Sequence, residues 1–327
     1  MKDISRISRR SVLAIGAGAL AAHSWPALAQ GPDRPIRVIL PISAGSGVDT
    51  IARAASVALG KAFNAPVVID NLPGAGGITG ASVLVKAAPD GFTLGMVSNN
   101  HVINPAVYKK MPFDAVADFT EISVIGATPL VLVVNPKVPA KNVNELVALL
   151  KGKPDGYNYA SSGNGTIIHL AGEMFMDEAG ARARHIPYKG TGPMVTDLIA
   201  GQVEIGVVAL PAVQPHIKSG AVRAIGICGP ARSPAAPDIP TIAEQGLPNY
   251  VVEGWFAVIG PPKMAAADVK RVHDAFVAAF ASPDVMEAMN KQGNIIKPGS
   301  PEEAARYFRS EAARYAALVK KANVTLE

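Results

Sequence analysis

Short, continuous apolar runs rich in β-branched residues alternate with helical patterns along the chain after Gln30. Such runs lie at residues 36–42, 66–70, 93–98, 131–135, 157–161, 203–209 and 222–228. Strands that are buried on both faces give runs of this kind, and helical connections between them are typical of parallel sheets. The pattern therefore predicts an α/β fold in which mostly parallel sheets are flanked by helices.

Two proline-rich connectors divide these predicted elements. Residues 135–139 read Asn-Pro-Lys-Val-Pro, and residues 229–240 contain four prolines among small residues. Connectors of this composition suit crossings between domains. We predict two lobes joined by two chain crossings. The first lobe is discontinuous and comprises residues 32–133 plus 231–327, and the second comprises residues 134–230.

The first 29 residues have the layout of an export signal. A basic start is followed by an apolar stretch at residues 12–22 and by the small-residue tripeptide at residues 27–29, which predicts cleavage after Ala29. The apolar stretch is shorter than the roughly 20 residues needed to span a bilayer. Arg9 and Arg10 favour the twin-arginine route, with the general route as the alternative. We expect the mature protein in the periplasm.

Charge and cysteine content exclude several other classes of protein. The signal holds four of the 31 Lys and Arg residues and one of the 26 Asp and Glu residues, so the mature chain carries a net charge of +2. Without a basic cluster interleaved with aromatic residues, nucleic-acid binding is not expected. Cys228 is the single cysteine of the sequence, which rules out an intramolecular disulfide and a lipid anchor after the signal. We expect a monomer that is not anchored to the membrane and needs no cofactor.

Four loops rich in Gly, Ser and Thr lie where a predicted strand meets a helix, at residues 41–49, 71–77, 161–166 and 188–193. Glycine lets the backbone approach a ligand closely, and a helix N-terminus offers unpaired N–H groups. Ligands of open α/β sheets bind at the carboxyl ends of strands. Capping and turn formation explain each loop by itself, but two such loops in each lobe favour an oxyanion site between the lobes.

Enzymatic signatures are missing from the sequence. The glycine pattern at residues 45–50 has Thr50 where a dinucleotide fingerprint requires glycine, and there is no phosphate-binding loop, nucleophile elbow or zinc motif. The histidines of the mature chain have no metal-ligand spacing. We therefore predict a binding protein that is not an enzyme and holds no metal.

Three further positions are candidates for ligand contact. Asp49 lies just inside the first helix, where it either braces its own loop or meets a cationic group of the ligand. His169 follows the third loop and is either a partly buried helix residue or a ligand contact. Asn99, with Asn100 and His101 beside it, closes the third strand and is expected to complete the rim of the pocket.

These motifs, in this order, resemble the Bug-type solute-binding receptors of tripartite tricarboxylate transporters over essentially the whole mature chain. Residues 41–53 (P-I-S-A-G-S-G-V-D-T-I-A-R) are similar to the first loop and helix of the family. Residues 71–77 resemble its N-x-P-G-A-G-G segment, and residues 161–170 resemble its S-x-G-x-G-[ST]-x-x-H-L segment.

The resemblance implies a two-lobed periplasmic binding protein of the Venus-flytrap, type II-like kind. Such a receptor closes on a small mono- or dicarboxylate and delivers it to membrane transporter subunits. In the family, the first and third loops grip one carboxylate of the ligand. The predicted ligand-binding residues are Ser43, Ala44, Gly45, Ser46, Asp49, Asn99, Ser161, Ser162, Gly163, Asn164, Gly165, Thr166, His169, Thr191 and Ala209.

Departures from the family pattern bear on the ligand. The segment at residues 207–210 lacks the Asp or other polar residue that many relatives carry nearby. Such a side chain can meet an amino group, so its absence favours an uncharged, apolar-tailed carboxylate over an amino acid. Two other functions stay open. One is an accessory sensor for a membrane kinase, and the other is a hydrolase that uses Ser162 or Ser46 with His169.

Overall fold

The structure, a computed structural model, describes residues 34–321, and the predicted export signal lies outside this range. The strands are β1 (Ile36–Leu40), β2 (Val67–Asn71), β3 (Thr93–Ser98), β4 (Thr120–Thr128), β5 (Leu130–Val134), β6 (Asn158–Ser161), β7 (Arg184–Pro187), β8 (Ile205–Ala209), β9 (Arg223–Ile227), β10 (Gly254–Gly260) and β11 (Ile295–Ile296). They form a six-stranded sheet in the order β11-β4-β10-β3-β1-β2 and a five-stranded sheet in the order β7-β6-β8-β5-β9.

Helices connect most of these strands. They are α1 (Gly47–Phe63), α2 (Ile78–Leu84), α3 (Asn100–Val107), α4 (Val143–Gly152), α5 (Ile167–Ala179), α6 (Thr191–Ala200), α7 (Leu210–Lys218), α8 (Ala266–Phe280), α9 (Pro283–Gln292) and α10 (Pro301–Lys321). No helix of the described range combines the length and the apolar character needed to cross a membrane.

The two sheets give the chain a two-lobed α/β fold, as predicted. Each sheet is mixed, however, whereas we expected mostly parallel sheets. β1 pairs in parallel with β2 and β3, and β6 pairs in parallel with β7 and β8, because helices connect these strands. β10 and β5 run antiparallel to both of their neighbours. Each of these two strands is the first strand that the chain forms after it crosses from one sheet to the other.

Pro129 alone separates β4 from β5, which belong to different sheets. β5 pairs along its whole length with β8 and from Val131 to Val134 with β9. This pairing favours a first crossing at Pro129, slightly before the boundary at residues 133–134 that we predicted. The lobe boundaries themselves stay predictions.

Helix α1 shows how the sequence positions the site. Its buried positions include Val48, Ile51, Ala55 and Leu59, which recur at helical spacing and pack on the six-stranded sheet. Ser46 caps its N-terminus and Asn64 ends it in the left-handed conformation. The helix therefore begins at the end of the first loop, next to the carboxyl end of the inner strand β1.

Candidate functional site

A cavity of about 690 Å³ lies between the loops of the two sheets. Residues 41–43, residues 73–77, Asn100 and Tyr108 line it from the six-stranded sheet. Ser162, Gly163, Asn164, Thr166 and residues 187–190 line it from the five-stranded sheet. Its volume lies within the range of small-molecule sites. All four loops singled out in the sequence contribute to its wall.

Asp49 braces the first loop. The carboxylate of Asp49 accepts hydrogen bonds from the Gly45 N–H at 3.0 Å, from Arg53 Nε at 2.9 Å and from Asn71 Nδ2 at 3.0 Å. Although burial raises its pKa, the hydrogen bonds from Arg53, Gly45 and Asn71 bring the pKa of Asp49 below its ordinary value. Both oxygens are engaged and the residue is only 4% exposed. Of the two roles proposed for Asp49, the geometry favours bracing.

The second loop forms part of the cavity wall, although it is absent from the predicted ligand-binding residues. Ala75 and Gly76 have φ angles of +46° and +64°, a left-handed conformation that glycine adopts without strain. The Asn104 amide donates to the Gly76 carbonyl at 3.2 Å and so ties the loop to α3. The glycines at residues 74, 76 and 77 marked this loop as part of the predicted oxyanion site, although none of its residues was predicted to contact the ligand.

The third loop is held by its own hydroxyl groups. Thr166 caps α5 by accepting from the His169 N–H at 3.3 Å, and its hydroxyl donates to the Gly163 carbonyl at 2.8 Å. The Ser162 hydroxyl donates to Thr166 Oγ1 at 3.3 Å. Ser161 is fully buried and contacts His185 Nε2 at 2.7 Å. These bonds fix the shape of the loop against the cavity.

Two stacked histidines support this loop from behind. The rings of His169 and His185 lie 3.9 Å apart between centroids and are nearly parallel. His169 Nδ1 accepts from the Gly165 N–H at 3.0 Å, and its Nε2 lies 3.6 Å from Glu173 Oε1. The neighbouring His169 lowers the pKa of Glu173, and burial lowers the pKa of His185 to about 4. Tyr159 donates a hydrogen bond to Glu173. His185 therefore stays neutral near pH 7, and the two stacked histidines act as packing behind the loop.

The structure does not bring His169 to Ser162 or Ser46, as the hydrolase alternative requires. The ring nitrogens of His169 face Gly165 and Glu173 rather than the hydroxyl of Ser162 or Ser46. The Ser46 hydroxyl accepts from the Asp49 N–H at 3.2 Å as a helix cap. A nucleophile requires a base within hydrogen-bond reach, and neither serine has one here.

The predicted ligand-binding residues divide into two groups. Five of them line the cavity: Ser43, Ser162, Gly163, Asn164 and Thr166. The other ten are not among its lining residues: Ala44, Gly45, Ser46, Asp49, Asn99, Ser161, Gly165, His169, Thr191 and Ala209. Ala209 faces the start of α1, where a Cβ at Gly47 would come within 2.6 Å of its own Cβ. Direct ligand contact by any of them stays a prediction.

Asn99 is the clearest departure from expectation. It is fully buried, and its amide donates to the Glu253 carbonyl at 3.1 Å and to the Tyr315 hydroxyl at 2.6 Å. Its Oδ1 accepts from the Trp255 N–H at 2.9 Å. All of its polar groups are therefore used inside the lobe. The following residue, Asn100, begins α3 and lines the cavity instead.

The charge of the described cavity wall is positive. Lys189 is the single charged side chain among its described lining residues, and none of these residues is acidic. Helices α1, α5 and α6 begin at loops that border the cavity, and each helix N-terminus carries a partial positive charge. No group of His, Cys, Asp and Glu side chains in the described range is arranged to hold a metal ion. The surroundings favour an anion over a cation.

Comparison with known proteins gives this geometry a family. The model of the tripartite tricarboxylate transporter family receptor, TctC, matches residues 51–324. The chain belongs to this family.

Named relatives of this receptor agree. Protein BugT of Bordetella pertussis is 34% identical over 302 residues, which cover 90% of this receptor and 91% of BugT. The structure of the periplasmic binding protein BugD matches with a TM-score of 0.87 and 28% identity, over 90% of this receptor and 100% of that chain. A Rhodopseudomonas palustris protein solved with adipate matches with a TM-score of 0.86 and 30% identity, over 92% of this receptor and 100% of that chain. The resemblance to Bug-type receptors is confirmed.

Proposed function

We propose that this TctC-family receptor captures a small carboxylate between its two lobes, without catalysis, and delivers it to the membrane subunits of a tripartite tricarboxylate transporter. The observation that carries the proposal is the cavity of about 690 Å³, which both lobes line with glycine-rich loops and in which no described lining residue is acidic. An anion entering it meets backbone amides, helix N-termini and Lys189, with no repelling carboxylate.

The structural relative solved with adipate supports a carboxylate as the ligand class. The remaining wall of the cavity favours an apolar body on that carboxylate. Ile42, Pro73, Ala75 and Pro187 present carbon atoms to the cavity. An amino acid would place its ammonium group without an acidic partner, which costs free energy when a charge is buried.

Capture implies that the lobes close around the ligand and hide it from water, as in other hinge-closing receptors. The predicted cleavage after Ala29 would release the mature receptor into the periplasm. Mass spectrometry of the exported protein tests this part, because an N-terminus at Gln30 is expected.

A thermal-shift screen of the ligand-stripped mature protein tests the capture. The panel contains adipate, malate, benzoate and aliphatic monocarboxylates, with amino acids as the contrast set. A ligand at 100 times its dissociation constant stabilises the fold by about 2.7 kcal/mol, which raises the melting temperature by several degrees. We expect such a rise with at least one carboxylate and none with the amino acids.

Two matched Thr→Ala variants make the screen specific. Thr166→Ala removes the hydroxyl that holds the third loop, and we expect it to abolish the shift. Thr196→Ala removes a hydroxyl that bonds only to the Gly192 carbonyl on the exposed side of α6, and it should keep the shift. If no carboxylate stabilises the folded, empty protein, the proposed ligand class is wrong.

A further inference from the structure

Two helices of the five-stranded-sheet lobe are capped by side chains of the other lobe. The Thr191 N–H at the start of α6 donates to Ser43 Oγ at 3.0 Å. The Ile167 N–H at the start of α5 donates to Asn100 Oδ1 at 2.8 Å. Ser43 lies in the first loop and Asn100 begins α3, so both acceptors come from the six-stranded-sheet lobe.

These caps fill a need that the helices do not meet themselves. The first N–H groups of a helix have no acceptor within it. The residue that caps α6 is Gly190, which has no side chain to offer. The residue that caps α5 is Thr166, whose hydroxyl accepts from the His169 N–H and leaves the Ile167 N–H to Asn100. Each helix start is thus completed only by the opposite lobe.

The lobes also approach closely around the bond between Thr191 and Ser43. A Cβ added at Gly190 would overlap the Ser43 side chain, and one at Gly192 would come within 3.0 Å of the Ala44 carbonyl oxygen. Ser43 and Asn100 both line the cavity. Separation of the lobes would break both bonds, so the caps and an enclosed ligand depend on the same arrangement.

We infer that Ser43 and Asn100 are positioning residues that stabilise the closed arrangement of the lobes by capping α6 and α5. The inference rests on the proposed capture between the lobes. The apparent affinity of a receptor scales with the population of its binding-competent state. A net hydrogen bond of about 1 kcal/mol corresponds to about a fivefold change, so loss of either cap should weaken every ligand about fivefold. The same loss of closure is expected without any ligand, where direct contact with a ligand cannot contribute.

Distances between spin labels on the two lobes test this directly. Val57 on α1 and Lys151 on α4 are exposed, and each is replaced by cysteine for labelling, while the buried Cys228 stays unlabelled. Double electron–electron resonance then gives the closed population without ligand and with adipate. We expect Ser43→Ala and Asn100→Ala to lower the ratio of closed to open molecules about fivefold each. Distance distributions identical to those of the wild type would overturn the inference.

A double-mutant cycle identifies the bond itself. Thr191→Pro removes the donor N–H at a first helical position, where proline is well tolerated, and the extended ψ of 174° at Gly190 suits a following proline. Ser43→Ala should then change the closed population of the Thr191→Pro protein by less than twofold. An undiminished fivefold effect in that background would show that Ser43 acts through another contact and would refute the cap.

A control within one lobe separates capping from general stability. Asn142 caps α4 by accepting from the Glu145 N–H at 2.9 Å, and both residues belong to the same lobe. Asn142→Ala should lower stability and leave the distance distribution unchanged; a loss of closure equal to that of Ser43→Ala would overturn the inference. If the wild-type distances respond to none of the carboxylates in the panel, the proposed capture fails, while the ligand-free distributions still decide the role of the caps.

Discussion

Acidification should destabilise the fold through His101, which is held neutral inside the six-stranded-sheet lobe. The ring is 6% exposed and packs edge-on against Phe119 at 4.8 Å between centroids, with Phe113 and Phe308 nearby. Its Nε2 donates to the Ala115 carbonyl at 2.7 Å. Burial lowers the pKa of His101 to about 4, although the bond to Ala115 opposes this.

The size of the effect follows from the two pKa values. In the unfolded chain the pKa of a histidine is about 6.5, so between pH 6.5 and pH 4 the unfolded state binds a proton that the folded state does not. The free energy of unfolding therefore falls as the pH falls through this window, by about 1.4 kcal/mol per pH unit. At pH 5 the loss through His101 is about 2 kcal/mol, and above pH 6.5 it vanishes.

Urea unfolding of wild type and His101→Gln at pH 7.5 and pH 5 measures this contribution. Glutamine keeps an N–H donor for the Ala115 carbonyl but does not titrate. Other groups that titrate in this window, His185 among them, contribute equally to both proteins and cancel in the comparison. We expect the wild type to lose about 2 kcal/mol more than the variant on acidification. Equal losses in the two proteins would refute the assignment of His101 as a buried neutral group.

Three further predictions concern single side chains. Asn99→Ala should lower the free energy of unfolding in urea by about 2–3 kcal/mol, because it leaves the Trp255 N–H unpaired, and should not change carboxylate affinity; weaker binding at unchanged stability would return Asn99 to the site. Gly190→Ala should weaken ligand binding about tenfold in calorimetry, since the new Cβ overlaps Ser43; wild-type affinity would contradict the close approach. Burial raises the pKa of the Cys228 thiol to about 12, so a thiol reagent at pH 8 should react only with unfolded protein; rapid reaction under native conditions would contradict its burial.

The sequence predicted most of the fold because its signals are local. All seven predicted strands are present, and the predicted first helix, which contains Asp49, corresponds to α1. β4, β7, β10 and β11 were not predicted. β11 has only two residues, and β7 reads Arg-His-Ile-Pro, with too little apolar character to stand out. The antiparallel direction of β5 and β10 depends on which strands lie beside them, and no local pattern encodes that.

The site was harder to predict than the fold for a similar reason. Capping signals identified the loops correctly, but the same signals do not tell which groups face a ligand and which face the protein. Ser46 and Asp49 use their side chains to shape the first loop. Asn99 and Asn100 are chemically identical neighbours, and only the packing of Trp255 and Tyr315 decides which one reaches the cavity.

The hydrogen bonds within the protein also limit which side chains can bind a carboxylate. The hydroxyls of Ser162 and Thr166 already donate inside the third loop, so this loop offers its backbone and its shape rather than hydroxyl donors. Within the described range, the lining side chains with a donor that is not already spent on the protein are those of Ser43, Asn100, Tyr108, Asn164 and Lys189. The Ser43 oxygen accepts from α6 while its proton stays available, and the Asn100 oxygen accepts from α5 while its amide protons stay available. A carboxylate bound by these two residues would strengthen their caps, since hydrogen bonds in a chain polarise one another. Ligand binding and lobe closure would then be coupled through single side chains.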